Sequence, residues 1–240
     1  MTTAFFQPAR EQAFAPYGRL LRFRQIFFAA LVLMLGLSAP AQAHPLRIVA
    51  LGDSLTAGFG LPADQAFPAV LQNALKAKGL DVEIVNAGVS GDTSAGLLER
   101  LDWALGDGAD GAIVEIGAND MLRGLDPDKT RDNIEAILAH LRDRKIPFLI
   151  AGMRSAPNLG GPYAERFEPL FAALAQHYQA PLYPFFLDGV AGHPDRQLPD
   201  GLHPNRVGVE TMVAGILPVV IAWLDGLPRE NPPKDSQTKN

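Results

Sequence analysis

The chain has 240 residues, of which 48% are hydrophobic and 20% charged, and its formal net charge is −5. This length suits one domain or two small ones, and the apolar share excludes wholesale disorder. The acidic balance argues against nucleic acid as the main partner, because phosphate binding requires a basic face. Cysteine is absent, which excludes disulfides, thiolate zinc sites, cysteine nucleophiles and a lipoprotein anchor.

Residues 1–43 have the pattern of a secretory signal peptide. Three arginines at 19, 22 and 24 precede the uncharged apolar run 26–37, and an Ala-Gln-Ala motif ends at Ala43. The run is shorter than the ~20 apolar residues that span a membrane, so an uncleaved anchor is the weaker alternative. No twin arginine is present, which favours a Sec-type route. Cleavage near Ala43 would remove four arginines and one glutamate, leaving 197 residues with a net charge of −8. We therefore expect an exported protein, periplasmic or secreted, with no stable membrane anchor after cleavage.

The remaining chain alternates short apolar runs with longer amphipathic stretches. The apolar runs predict buried strands at 47–51, 82–85, 112–116, 146–151 and 181–183. The amphipathic stretches predict helices at 65–78, 94–105, 126–141, 163–178 and 205–224. Gly79 is predicted to cap the first of these helices, and Asp126-Pro127 to begin the third. Pro169 predicts a kink or a late start, and Pro218 an interruption.

The polar, proline-rich residues 226–240 predict a disordered tail, which leaves one domain over 44–225. Strands that alternate with helices predict an α/β fold with a parallel sheet covered on both faces. Such folds place their chemistry beyond the carboxyl ends of the strands.

Polar residues and glycines follow several of the predicted strands. Ser54 follows the first strand, Gly88 the second and Asn119 the third, while Asp200 and His203 lie in a late loop. A serine hydroxyl becomes nucleophilic when a histidine removes its proton, and an aspartate can orient that histidine. Two backbone N–H groups, of Ser54 and Gly88, and the Asn119 amide would then stabilise an oxyanion.

These residues also match a known pattern. Gly52-Asp53-Ser54-Leu55, Gly88, Gly117-Ala118-Asn119-Asp120 and Asp200-Gly201-Leu202-His203 resemble the four sequence blocks of the GDSL, or SGNH, serine hydrolases. The resemblance implies Ser54 as nucleophile, with Asp200 and His203 as its triad partners. It further implies an oxyanion hole formed by Ser54, Gly88 and Asn119, and chemistry that needs neither metal nor cofactor. The implied fold is a three-layer α/β/α arrangement with a five-stranded parallel sheet, similar to flavodoxin.

Within this family the chain is most similar to the exported thioesterase, arylesterase and lysophospholipase group. The resemblance implies a serine esterase acting on small-molecule acyl esters or lipids, including aryl esters, lysophospholipids and acyl thioesters. Residues 153–163 stand where that group has a mobile loop over the acyl chain. We therefore expect substrate-binding residues there, namely Arg154, Pro157, Asn158 and Leu159. We also expect a monomer or a weak dimer.

Several alternatives compete with this prediction. One is a carbohydrate O-acetyl esterase with the same triad, and another is a non-catalytic lipid- or glycan-binding protein on the same fold. A metal hydrolase could use Asp53, Asp120, Asp200 and His203, and a chelator would test that hypothesis. The glycine pattern at 58–63 fits a dinucleotide-binding loop poorly, because Pro62 interrupts it. The aspartates at 53 and 120 are interpreted as supports for their loops, and the tryptophans at 103 and 223 as core residues.

Overall fold

The computed structural model describes residues 1, 3 and 44–227. The signal peptide predicted for 1–43 and the tail predicted for 226–240 lie outside the described residues, except for 1, 3, 226 and 227. Leu227 is buried, so the ordered core extends slightly beyond the predicted end at 225.

A parallel five-stranded sheet forms the centre of the described chain, in the order β2-β1-β3-β4-β5. The strands are β1 (Leu46–Gly52), β2 (Val82–Gly88), β3 (Gly111–Glu115), β4 (Phe148–Ala151) and β5 (Leu182–Tyr183). Every residue of β3 is buried, as expected for a strand covered on both faces. The predicted strands and their parallel arrangement are confirmed.

Helices cover this sheet in two groups. The long helices are α2 (Phe67–Ala77), α6 (Pro127–Asp143), α7 (Gly161–Tyr178) and α8 (Arg206–Asp225). The short ones are α1 (Ser54–Ala57), α3 (Ser94–Glu99), α4 (Leu101–Leu105) and α5 (Ala118–Leu122). Helix α2 packs against α8, while α3, α6 and α7 pack against one another in series. The predicted three-layer α/β/α fold is confirmed.

Neither proline ends its helix. Helix α7 begins at Gly161 and runs through Pro169, so the late start is wrong, and α8 runs through Pro218, so the interruption is wrong. A proline removes the hydrogen bond to the carbonyl four residues earlier. Both prolines are exposed, and so are Glu165 and Ala214, whose carbonyls lose that bond. Water can therefore satisfy those carbonyls, and the buried faces of the helices stay intact.

The predicted helix 94–105 is divided at Arg100 into α3 and α4, and this division bears on the two tryptophans. In α4, Leu101, Ala104 and Leu105 face the core, and the helical period then directs Trp103 outward. Trp103 is 77% exposed, so its prediction as a core residue is wrong. Trp223 is buried, as predicted.

Helix α8 is long and apolar enough by composition to cross a membrane. Its apolar residues Met212, Ile216 and Val220 are buried against the rest of the domain. The apolar composition of α8 is therefore that of a helix packed in the core of the domain.

Candidate active site

The turn between β1 and α1 presents Ser54 at the carboxyl edge of the sheet. Asp53 caps α1, because its Oδ1 accepts the backbone N–H of Leu55 at 3.0 Å. The turn is tight: a Cβ on Gly52 would lie 2.1 Å from Thr56 Oγ1 and 2.6 Å from Glu115 Oε2. Glycine at this position therefore lets the turn close over the end of β3, and Ser54 becomes the first residue of α1.

The loop that carries Asp200 and His203 folds back on itself opposite Ser54. Asp200 Oδ1 accepts the backbone N–H groups of Leu202 at 2.9 Å and of His203 at 3.0 Å. Its other oxygen, Oδ2, lies 2.7 Å from His203 Nδ1. His203 Nε2 in turn lies 2.9 Å from Ser54 Oγ, although the two residues are 149 positions apart in the chain. The structure thus brings together the three residues that the sequence predicts as a triad.

The electrostatics of this loop determine the state of the imidazole. The backbone N–H groups of His203 and Leu202, followed by the His203 ring, lower the pKa of Asp200 to about 2. An ionised Asp200 holds the proton of His203 on Nδ1, so Nε2 is left to accept the hydrogen of Ser54 Oγ. The ring of Phe59 covers the imidazole, with a centroid separation of 4.3 Å.

Asn119 lies next to this arrangement, near the start of α5. The left-handed backbone of Gly117, with φ of 115°, turns the chain from β3 into that helix. Asn119 Nδ2 donates one amide hydrogen to Asp53 Oδ2 at 3.2 Å. An amide carries two such hydrogens, so the second remains to stabilise an oxyanion.

Gly88 does not fit its predicted role as an oxyanion donor. Its N–H donates to Asn86 Oδ1 at 3.0 Å, so the hydrogen predicted to bind the oxyanion already has an acceptor. A Cβ on Gly88 would lie 2.3 Å from the backbone nitrogen of Ala57. The missing side chain therefore admits the backbone of α1 rather than a substrate, and this part of the prediction needs correction.

Gly91 is a second candidate for this donor, which the sequence prediction did not include. It is exposed and has a φ of 89°, and its carbonyl accepts Arg123 Nη2 at 2.8 Å. Among the described residues no acceptor is recorded for its N–H. The signal in the sequence is a second glycine three residues after Gly88, but the backbone geometry is needed to choose between the two.

The aspartates at 53 and 120 support their loops, as predicted. Asp120 Oδ2 accepts the Ser94 backbone N–H at 2.8 Å, and Oδ1 accepts Ser94 Oγ at 2.5 Å. The hydroxyl of Thr130 also donates to Oδ1, at 3.2 Å. These bonds connect α3, α5 and α6 behind Asn119. In the part of the chain that the structure describes, no group of three His, Asp or Glu side chains is placed to hold a metal ion.

The predicted substrate segment lies against α5. The N–H of Ala156 contacts Met121 Sδ at 3.3 Å, and residues Pro157–Leu159 form a single 3₁₀ turn. Arg154 is exposed, with its guanidinium 5.2 Å from the centre of the Phe185 ring. No hydrogen bond recorded among the described residues joins Arg154, Pro157, Asn158 or Leu159 to Ser54 or His203.

A cavity of about 520 Å³ lies at the opposite end of the sheet and is separate from this site. It is bordered by the C-terminal ends of α6, α7 and α8 and by the residues that lead into β4 and β5. Ser54, Asn119 and His203 are not among the residues that line it.

Comparison with known proteins identifies a family and several relatives. The GDSL-like Lipase/Acylhydrolase family matches residues 50–210. An arylesterase of Vibrio mimicus is 38% identical over 177 residues, covering 73% of this chain and 88% of the relative. The thioesterase 1/protease 1/lysophospholipase L1 of Escherichia coli is 35% identical over 193 residues, covering 78% and 89%. The crystal structure of AlinE4, an SGNH-hydrolase family esterase, is 44% identical and superposes with a TM-score of 0.65, covering 77% of this chain and 99% of that one.

The family match extends over two thirds of the chain and includes Ser54, Asn119 and His203. The chain belongs to the GDSL-like lipase/acylhydrolase family.

Proposed function

We propose that this enzyme hydrolyses carboxylic acyl esters through a covalent acyl-Ser54 intermediate. The contact of 2.9 Å between Ser54 Oγ and His203 Nε2 carries the proposal, because it pairs a nucleophile with a base. Membership of an acylhydrolase family and the similarity to an arylesterase support the same reaction.

In the first half of the reaction, Ser54 Oγ attacks the acyl carbonyl while His203 Nε2 takes the hydroxyl proton. Asp200 stabilises the imidazolium that forms, and His203 then returns the proton to the leaving alcohol. In the second half, His203 activates a water molecule that attacks the acyl-enzyme, releases the acid and restores Ser54.

Three donors are available for the negative oxygen of each tetrahedral intermediate. The N–H of Ser54 lies in the first turn of α1, where a helix offers no internal acceptor. The second hydrogen of the Asn119 amide is another donor. For the third we replace the predicted Gly88 with Gly91, because the Gly88 N–H is bonded to Asn86. Donors fixed before the reaction stabilise the oxyanion without reorganising.

For substrates, we propose amphiphilic acyl esters, including aryl esters, lysophospholipids and acyl thioesters. The names of the relatives from Vibrio mimicus and Escherichia coli support this range. Large apolar side chains are also exposed in the chain segments of the site, at Phe59, Leu122 and Leu202. We retain Arg154, Pro157, Asn158 and Leu159 as candidate substrate contacts, because their segment touches α5. The enzyme is proposed to act without a cofactor, as a monomer or weak dimer.

Initial rates on p-nitrophenyl esters of graded acyl length test this function. The wild-type protein beginning at His44 is compared with Ser54→Ala. We expect the substitution to lower kcat by about 10³-fold or more, since a residual rate from binding and the oxyanion donors remains. A rate that persists or rises with medium-length chains would indicate an apolar acyl site.

The same assay separates the alternatives. Activity confined to acetyl esters would favour a carbohydrate O-acetyl esterase. Full activity of Ser54→Ala would contradict the acyl-Ser54 intermediate. If no ester is turned over and an organophosphonate leaves Ser54 unlabelled, the protein is a binding module on this fold.

A further inference from the structure

Two carboxyl groups lie buried beneath the nucleophile turn, and the reaction described above uses neither of them. Asp53 and Glu115 both have 0% exposure. The backbone N–H of Asp53 donates to Glu115 Oε2 at 3.3 Å, and Thr56 Oγ1 donates to the same oxygen at 2.8 Å. The pair therefore links the end of β3 to the turn that carries Ser54.

No cation is paired with either carboxyl group among the described residues. The guanidinium of Arg100 binds the carbonyl of Gly52 at 3.0 Å, but its ion-pair partner is Asp92, at 2.5 Å. Two adjacent negative charges without a counter-ion are strongly unfavourable in a buried site. The pair must therefore retain a proton on one of its members.

The hydrogen bonds indicate which member is charged. Each oxygen of Asp53 accepts a donor: Oδ1 accepts the Leu55 N–H at 3.0 Å and Oδ2 accepts Asn119 Nδ2 at 3.2 Å. Glu115 Oε2 accepts two donors, whereas Oε1 is buried and has no partner among the described residues. An ionised Glu115 would leave half of its charge unsolvated, so the proton belongs on Glu115.

Electrostatic effects point the same way. Burial raises the pKa of Asp53 to about 6, against the lowering effect of its hydrogen bonds and of His203; Asp120 adds to the increase. Burial followed by repulsion from Asp53 raises the pKa of Glu115 well above its ordinary value, and the hydrogen bonds from Thr56 and Asp53 oppose this increase. These effects favour keeping the proton on Glu115 and the negative charge on Asp53.

We propose that Asp53 and Glu115 form a buried acid pair with a single negative charge, on Asp53, which positions the Asn119 amide as an oxyanion donor. Asp53 holds one amide hydrogen and thereby directs the other toward the carbonyl oxygen of the substrate. Glu115, in its neutral form, anchors the turn without adding a second charge. Asp53 is thus a positioning residue. The inference rests on the proposed function and deepens it.

A double-mutant cycle tests whether Asp53 acts through Asn119. We expect Asp53→Asn to lower kcat on a p-nitrophenyl ester by about 10²-fold with little change in KM, as for the loss of one oxyanion donor. In an Asn119→Ala background, the same substitution should cost no more than about threefold further. An equal loss in both backgrounds would show that Asp53 does not act through Asn119 and would overturn the proposal.

A second variant distinguishes the loss of Asn119 positioning from a folding defect in Asp53→Asn. Serine is also a good helix N-cap, so Asp53→Ser keeps an acceptor for the Leu55 N–H but removes the charge and the reach to Asn119. We expect Asp53→Ser to unfold at a temperature close to that of the wild type and to lose kcat as Asp53→Asn does. A folded Asp53→Ser with wild-type kcat would overturn the positioning role.

The charge assignment has a test that does not depend on activity. The infrared difference between Ser54→Ala and Ser54→Ala/Glu115→Gln at neutral pH should show the carbonyl stretch of a protonated carboxylic acid. Glu115→Gln with Ser54 intact should keep kcat within about threefold of wild type, because the amide retains an acceptor for Thr56 and Asp53. Absence of the protonated band would overturn the assignment of the proton to Glu115. Both spectra are recorded on proteins that carry Ser54→Ala. The infrared test of the Glu115 proton therefore does not depend on whether Ser54 is the nucleophile.

Discussion

Three carboxyl groups near Ser54 show how surroundings, rather than residue type, determine the state of a side chain. Asp200 is partly exposed and accepts two backbone N–H groups, so its pKa falls to about 2. Asp53 is buried, and its pKa rises to about 6. Glu115 is buried beside Asp53, and its pKa rises well above the ordinary value. The same chemical group therefore takes three roles. The carboxylate of Asp200 orients His203, the carboxylate of Asp53 binds Asn119, and the neutral carboxyl of Glu115 anchors the turn.

The raised pKa of Glu115 predicts how stability changes with pH. Above the pKa of about 4.3 of an unfolded glutamate, the unfolded chain releases a proton that the folded chain keeps. The contribution of Glu115 to the free energy of unfolding is therefore complete at low pH. It is lost as the pH rises through the pKa that Glu115 has in the folded protein. Each unit between the two pKa values is equivalent to about 1.4 kcal/mol.

Urea unfolding of wild type and Glu115→Gln at a series of pH values measures this effect. We expect the free energy of unfolding of the wild type to fall relative to that of Glu115→Gln as the pH increases from about 5 to about 9. Parallel profiles for the two proteins would contradict a raised pKa. The contribution of Asp200 to stability depends on pH in the opposite direction, because its pKa is lowered. That contribution is lost only as the pH falls toward about 2.

Helices α2, α6 and α7 end with the same backbone pattern but with different residues. In each, an N–H just beyond the end of the helix bonds back across five positions, from Leu80 to Leu75, from Ile146 to Leu141 and from Ala180 to Ala175. The residue before that N–H has a positive φ, which glycine adopts at the least cost. Helix α2 has Gly79 there, as the sequence predicts, whereas α6 has Lys145 and α7 has Gln179.

These helix ends predict opposite effects of glycine and alanine. Lys145→Gly and Gln179→Gly should each stabilise the protein by roughly 0.5–1 kcal/mol, because a Cβ is removed from a left-handed residue. Gly79→Ala is the matched control and should destabilise by a similar amount, since no atom lies within 4 Å of the added Cβ and strain alone acts. Thermal and urea unfolding measure all three variants. Destabilisation by Lys145→Gly would show instead that the lysine side chain contributes more than its backbone strain.

At the scale of the whole molecule, the order of the strands assembles the site. Strands β1 and β3 are neighbours at the centre of the sheet, and β2 lies on the other side of β1. The turns after β1 and β3 therefore place Ser54 and Asn119 side by side at the carboxyl edge, where parallel α/β sheets bind their ligands. The loop before α8 returns to the same edge and adds His203. Residues that lie up to 149 positions apart thus form one site.

Export of the whole chain is a separate prediction, from the pattern of residues 1–43. Expressed in full in a Gram-negative bacterium, the protein should be recovered outside the cytoplasm and begin at His44, because Ala41-Gln42-Ala43 presents small residues to signal peptidase. The mass of the purified protein and N-terminal sequencing measure this. A mature protein that retains residues 26–37 would indicate an uncleaved anchor.

Much of this molecule could be predicted from its sequence, because the relevant signals are local. Apolar runs and helical periodicity predicted the central sheet and the long helices, and the Gly-Asp-Ser-Leu and Asp-Gly-Leu-His segments predicted the residues that meet as Ser54, Asp200 and His203. Such patterns report which face of an element is apolar and which side chains carry chemistry.

Only the tertiary structure decided the features that depend on distant neighbours. Trp103 is exposed because the chain bends at Arg100, and Pro218 is tolerated because its side of α8 faces solvent. Asn86, whose Oδ1 accepts the Gly88 N–H, is held by donating its amide to the Ala57 carbonyl of α1 at 3.2 Å. Glu115 is buried beside Asp53 because β3 adjoins β1. Burial, hydrogen-bond partners and the protonation of paired carboxyl groups arise from contacts between segments, and the order of residues along the chain does not contain them.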